Sequence, residues 1–247
     1  QLSQLVRMMM NKPIPIHYFS DVPNNEEGAE FIRLARKFLN RKRYKLRVLG
    51  RGTRKVNGAK NSYRYSASLP HQFSERFSLY IDDFIERSKT ARTLMEGVYD
   101  IRYGSKPKQT LDLHLPKDSS NPPLLIYIHG GYWRAIDKND HSFIALPFIK
   151  NGIAVANVNY DLCPSVTLTE IVDEIIEAFH FVRNQVEEWK TNGVYLIGHS
   201  AGAHLAGEII GRNFFGREKD HSRLKGSILL SGIYEPEVVL HLDVNED

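Results

Sequence analysis

A serine held between glycines, Gly198-His199-Ser200-Ala201-Gly202, is the stretch of this 247-residue chain best suited to chemistry. An apolar run (Val194, Leu196, Ile197) leads into it and a helix-compatible segment, 201–212, follows at once. This is the pattern of a nucleophile elbow, a sharp strand-to-helix turn that lifts one serine above the end of a sheet. Gly198 and Gly202 remove side chains that would collide there, so the turn can hold a strained backbone. A serine hydroxyl is a poor nucleophile at neutral pH; it needs a base to take its proton and donors to hold the oxyanion that forms. The donors have a source in His129-Gly130-Gly131-Tyr132-Trp133, directly after the apolar run 124–128. Backbone N–H groups of Gly130, Gly131 and Ala201 are the candidate oxyanion hole, and Tyr132 and Trp133 the candidate pocket lining. His129 and His199 flank these turns and read as residues that shape them by hydrogen bonding, not as the base; His204 reads as lying behind the nucleophile. A strand, a glycine turn and a helix with no chemistry is the plain alternative. Two such motifs in register weigh against it.

These residues need a scaffold, and the chain supplies an ordinary one. Its hydrophobic content is 42% and its charged content 25%, values of a globular protein with a real core. No apolar run approaches the length that crosses a bilayer. The start, Gln1 to Met10, carries neither a basic-then-apolar leader pattern nor a small-residue cleavage site, so the expected location is the cytoplasm. Beginning with Gln, it also reads as a trimmed or partial chain. Cys163 is the single cysteine, which excludes an internal disulfide.

Charge is divided unevenly. Residues 1–85 hold 16 Lys/Arg against 7 Asp/Glu, whereas 86–247 hold 17 against 22. Between Phe31 and Ser74 stand 13 basic residues and no acidic one. Two parts are expected: a basic N-terminal segment of unknown role, 1–75, and a second domain, 76–247. In the first, 13–19 reads as extended, Asn24 with Glu27 as a helix start, and 31–39 as a helix with one apolar face. Residues 44–49 alternate like a strand and 50–68 read as loop. Basic residues interleaved with Tyr63 and Tyr65 make 31–74 a candidate nucleic-acid contact, although no zinc-ligand spacing, RNP-type run or recognition helix accompanies them. A solvated basic face is the commoner explanation.

In the second part, 98–103 and 110–115 alternate like an antiparallel pair. Runs at 124–128, 153–158, 194–197 and 226–231 lack alternation, as strands covered on both faces do. Ile171, Ile175, Phe179, Val182, Val186 and Trp189 trace the core face of a long helix. Strands separated by helices imply an α/β fold with a mostly parallel sheet and right-handed crossovers.

From about Phe84 onward the chain resembles the α/β-hydrolase superfamily, and within it the kynurenine formamidase (arylformamidase) and esterase group. The resemblance rests on R-Y-G (102–104) with T-L-D-L (110–113), H-G-G-Y-W (129–133), N-Y-D-L-C-P-S-V-T-L (159–168) and G-H-S-A-G-A-H-L (198–205). It implies hydrolysis of N-formyl-L-kynurenine to kynurenine and formate, with Ser200 as nucleophile and no metal or organic cofactor. Neighbouring members cleave simple carboxylic esters, so the implied partner is a small-molecule amide or ester; a homodimer is a further expectation. The family places its acid and histidine after two further strands, and this chain has 47 residues beyond Ser200, with neither directly after 226–231. The fold is therefore expected to lack its last strands. Four arrangements remain open. The chain is a piece of a longer protein; or Glu235 and His241 form a shortened triad; or the fold is non-catalytic and serves binding, with the basic segment holding nucleic acid. In the fourth, a permuted order, the extended segment 13–19, Asp21, a helix and the strand 44–49 supply the missing end, with Asp21 as acid and His71 as the nearest later histidine.

Overall fold

Uninterrupted apolar runs make the centre of the sheet. β5 (Leu124–Ile128) and β6 (Ala154–Val158) are buried at every position, and β7 (Val194–His199) at all but its last. The computed structural model of the chain describes residues 15–19, 45–48, 70–215 and 224–234. Before these central strands come β1 (Pro15–Phe19), β2 (Lys45–Val48), the long helix α1 (Pro70–Leu94), β3 (Val98–Arg102) and β4 (Thr110–His114). A 3-10 helix (Lys138–Ile144) running into α2 (Ala145–Ile149) links β5 to β6. Helix α3 (Leu168–Gln185) links β6 to β7, and α4 (Ala201–Phe215) links β7 to β8 (Leu224–Leu230).

The eight strands form one sheet in the order β2-β1-β8-β7-β5-β6-β4-β3. Only β4 runs against its neighbours, pairing antiparallel with β3 and β6; the others are parallel. The expected antiparallel pair is β3 and β4, and the mostly parallel α/β fold is as the sequence implies. Strands from both sides of residue 75 share this sheet: β1 pairs with β8 and β2 with β1, filling the two positions beyond β8. The helix expected over 31–39 and the loop 50–68 lie outside the described residues.

Two apolar layers clamp the sheet. On one side α3 and α4 bury Ile171, Ile175, Phe179, Val182, Leu205 and Ile209 against β5, β6 and β7. Thr167 starts α3 with a capping box, its hydroxyl accepting from the Glu170 N–H while the Glu170 carboxylate accepts from the Thr167 N–H. The helix stops at Gln185, short of the expected 189; Val186 and Trp189 continue its buried stripe from a turn. On the other side lie α1, the 3-10 helix and α2, with Ala91, Phe148, Leu125, Tyr127 and Val155 at the centre.

A buried ionic cluster fastens α1 to the sheet. Lys138 is 1% exposed, and its ammonium donates to the Asp112 carboxylate at 2.6 Å and meets Asp100 at 2.8 Å. Arg92 of α1 takes the other Asp112 oxygen at 3.1 Å. β3 bulges between Val98 and Ile101, and Asp100 (φ 56°) sits in that irregularity with its N–H donating to Asp112. Opposite charges withdrawn from water this far are retained only when paired.

His141, on the 3-10 helix, packs among Phe84, Tyr127, His129 and Phe143. Burial, helped by the neighbouring His129 and His199 rings, pushes its pKa down to about 3. His114, His129, His199 and His204 are also pushed down by burial.

Two outcomes follow for stability. Lys138→Met leaves Asp112 buried without its closest cation and lowers the unfolding free energy in urea by about 3–5 kcal/mol; adding Asp112→Leu costs less than the sum of the two single changes, read as a coupling in a double-mutant cycle. These five histidines resist protonation in the fold and take it up freely when unfolded, so their contribution is full above about pH 6.5 and declines as pH falls, for His141 toward 3. The urea midpoint should therefore drop between pH 7.5 and 5.0, and His141→Phe should reduce that drop; equal midpoints at both pH values would contradict it.

Candidate active site

The strand order puts a crevice where two connections diverge. β5 feeds toward β6 on one side, while β7, its other neighbour, feeds toward β8 on the opposite side. Open parallel sheets bind ligands outside the carboxyl ends of such a pair. Ile128, the last residue of β5, pairs with Gly198, a register that carries Gly130 out of the sheet beside Ser200.

Ser200 has φ 54°, a left-handed backbone that L residues adopt under constraint. Its N–H donates to the Leu230 carbonyl at 2.8 Å, and its own carbonyl accepts from Ala203 at 2.9 Å as α4 begins. The elbow is pressed hard against its surroundings. A Cβ on Gly198 would collide with the Gly202 carbonyl, and one on Gly202 with the carbonyl oxygens of Ile128 and His129. A Cβ on Gly130 would stand 2.9 Å from the His199 carbonyl oxygen and 3.2 Å from Ser200 Cβ. The loop after β5 therefore touches the elbow backbone to backbone. Ala201 is the first residue of α4, where N–H groups lack intrahelical partners and the helix dipole favours negative charge. Among the described residues none accepts from the N–H of Gly130, Gly131 or Ala201.

The loop is held from behind. Gly131 (φ 111°), Tyr132 and Trp133 (both φ 58°) turn the chain sharply, and the Gly131 carbonyl accepts from Arg134 and Ala135. A Cβ on Gly131 would strike the Ala135 carbonyl. His129 is fully buried; its Nε2 lies 3.2 Å from Asn159 Oδ1 and its Nδ1 2.7 Å from the Gly130 carbonyl. Asn159 donates through Nδ2 to Asp137 at 2.9 Å and accepts from the Lys138 N–H at 3.3 Å. Hydrogen bonds from the Asn139 N–H and from Asn159 hold the Asp137 carboxyl below its ordinary range against the opposing effect of burial.

Of the sequence candidates, Ser200, Gly130, Gly131 and Ala201 are brought together. Trp133 is 4% exposed and packs in the α3/α4 core, edge-on to His204, with Tyr132 half-buried at its margin. His204 is buried on α4. Asp21, Glu235 and His241 lie outside the described residues; His71 falls in α1 with its side chain likewise outside them. Among the described residues no group of three or more His, Cys, Asp or Glu is placed to hold a metal ion. Sequence reasoning assigned no role to Asp112, Asp137, Lys138, Asn159 or Tyr160. Asp112, Asn159 and Tyr160 stood in quoted motifs, while Asp137 and Lys138 carried no spacing signal.

Comparison with known proteins agrees with this geometry. The family described as BD-FAE matches residues 111–216. Kynurenine formamidase of Danio rerio is 34% identical over 187 residues, covering 72% of this chain and 62% of that protein. An isoprenylcysteine α-carbonyl methylesterase of Arabidopsis thaliana is 32% identical over 109 residues, 43% of this chain and 26% of its own. A crystal structure of a candidate thioesterase from Silicibacter sp. superposes with a TM-score of 0.65 at 26% identity, covering 74% of this chain and 68% of that one. The chain thus spans under two thirds of the formamidase's length. With its sheet order, elbow and glycine loop, the chain has an α/β-hydrolase fold and is similar to the kynurenine formamidase and esterase-like group.

Proposed function

We propose that the protein is a serine hydrolase acting on an aryl formamide such as N-formylkynurenine, or on a small carboxylic ester. The observation that carries this is the approach of Gly130 to Ser200 across the β5/β7 crevice, where a Cβ on the glycine would stand 3.2 Å from that of a serine in a strained turn. Ser200 Oγ bonds to the carbonyl carbon and gives its proton to a base, and the carbonyl oxygen takes the negative charge. The N–H groups of Gly130, Gly131 and Ala201 hold that oxyanion, aided by the start of α4. Collapse expels the arylamine or alcohol, which takes up a proton, and leaves Ser200 formylated or acylated; water then releases formate or the acid and restores the hydroxyl. Tyr132, half-buried beside the loop, is our candidate for an aromatic contact with an aryl substrate.

The sheet edge supports one assignment for the acid. Phe19 pairs with Leu230, and Leu230 with His199, so β1, β8 and β7 end level. Family order puts the carboxylate after the second strand beyond the nucleophile's, and that position is β1 here. Asp21 comes two residues after β1 in the sequence and is our candidate acid.

The test is turnover of N-formylkynurenine and of p-nitrophenyl acetate by the chain. Ser200→Ala should lower kcat at least about a thousand-fold with the fold retained. Asp21→Asn should lower it by about two to four orders of magnitude, and His71→Ala and His241→Ala in turn should identify the base by a comparable loss. Turnover that survives Ser200→Ala would sink the reading; turnover indifferent to Asp21→Asn would remove Asp21 alone.

A further inference from the structure

Tyr160 follows β6 by two residues, is completely buried, and lies flat against His129 with ring centroids 4.3 Å apart and planes 11° from parallel. Its hydroxyl donates to the His129 carbonyl at 2.9 Å, with the Gly130 carbonyl at 3.4 Å. We infer that Tyr160 is a positioning residue that aims the N–H groups of Gly130 and Gly131 at the space above Ser200. The inference rests on the serine-hydrolase reading and adds to it the device that orients the oxyanion donors.

The argument is one of peptide geometry. In a trans peptide the carbonyl of one residue and the N–H of the next point in opposite directions across a rigid plane. Among the described residues the single cis bond is Cys163–Pro164, so both loop peptides are trans. Tying the His129 carbonyl to a buried phenol therefore turns the Gly130 N–H away from the core. The Gly130 carbonyl, facing the same hydroxyl, does this for the Gly131 N–H. Ser200, half-buried, stands against this loop, where a Cβ on Gly130 would come within 3.2 Å of its own. Glycine has no side chain to bias these planes, and its backbone is the most permissive of any residue. Something outside the two glycines must choose the orientation.

His129 cannot choose alone. Burial keeps the ring neutral, with one N–H, and its two nitrogens face two acceptors, the Gly130 carbonyl and Asn159 Oδ1. Asn159 cannot turn its amide to the ring instead, because Oδ1 would then face the Asp137 carboxylate and give up the Lys138 N–H it accepts from. A single ring proton serves one of the two contacts, so the phenol is the donor to this loop that does not depend on the tautomer. Burial also pushes the Tyr160 pKa up, so the hydroxyl keeps its proton wherever the chain is folded.

The experiment compares wild type with Tyr160→Phe, which keeps the ring stacked on His129 and removes only the hydroxyl. Four quantities are read on the full chain: kcat and KM for p-nitrophenyl acetate, the rate of Ser200 phosphonylation by a fluorophosphonate, and the thermal midpoint. The expected result is a fall in kcat and in labelling rate of about ten- to a hundred-fold, with KM within twofold, since the donors act on the oxyanion and not on the neutral substrate. Installing 4-aminophenylalanine at 160, which restores a donor, should recover most of the loss. If Tyr160→Phe does not fold, 4-fluorophenylalanine fills the hydroxyl's volume without donating and takes its place. An active wild type with kcat unchanged in these variants, or a loss confined to KM, overturns the positioning role and leaves the hydrolase reading standing. A folded wild type that neither turns over substrate nor labels overturns both.

Discussion

No side chain can stand between the start of α4 and the end of β5. Gly202 lies where a Cβ would run into the carbonyl oxygens of Ile128 and His129, and Gly198 where one would strike the Gly202 carbonyl. That contact fixes the height of Ser200 above the sheet and its separation from the glycine loop. The adjacent left-handed turn at Ser200 persists because surrounding bonds over-determine it: its N–H is taken by β8 and its carbonyl by the first turn of α4. Strain of this kind exposes the hydroxyl without asking the side chain to find its own way out of the core.

The second half of the site is held by polar groups that the core has had to accommodate. Lys138 links two networks. Its ammonium is spent on Asp112 and Asp100, while its backbone N–H reaches Asn159, the residue that faces His129. Asn157 donates to the Lys138 carbonyl, so the start of the 3-10 helix is tied to β6 as well. Through Arg92 and Ser88, α1 is bonded to this same stretch, Ser88 donating to the Asp140 carbonyl and accepting from the Phe143 N–H. An apolar core of equal volume would do as much for stability or more. What the ionic arrangement provides is register: each partner has one position, and the loop bearing Gly130 and Gly131 inherits it.

Much of this was legible in the residues. The unalternated runs marked the buried strands, the Ile171-to-Trp189 stripe marked α3 though it overran the helix's end at Gln185, and the two glycine motifs marked the loops that meet at the crevice. Periodicity and turn chemistry are local, and those elements obey them. The 3-10 helix and α2 escaped notice because Lys138 to Ile149 has no helical stripe; tertiary bonds to α1 and β6 decide its path. Lys138 and Asp112 escaped for the same reason. A lysine 26 residues from an aspartate carries no signal that both will be buried and touching. The Tyr160 hydroxyl was equally silent, since its partners are carbonyl oxygens 30 and 31 residues away. Longer-range pairing is where sequence patterns stop and packing begins.

The order of strands along the chain matters less to such a site than where their carboxyl ends come out. β1 precedes every other described element, yet it lies beyond β8, parallel to it, with Phe19, Leu230 and His199 in one row across the sheet. Any residue shortly after one of these strands starts from the same edge, whether it comes before or after Ser200 in sequence. A parallel strand needs only the right hydrophobic face and a free edge to pair with; β8 has the edge, and β1 takes it. Chain order is a record of how the polypeptide was assembled, whereas chemistry depends on which loops share an edge. In this sheet the loops after β5 and β7 meet at the glycines, and the edge beyond them runs through β8 to the strand that ends just before Asp21.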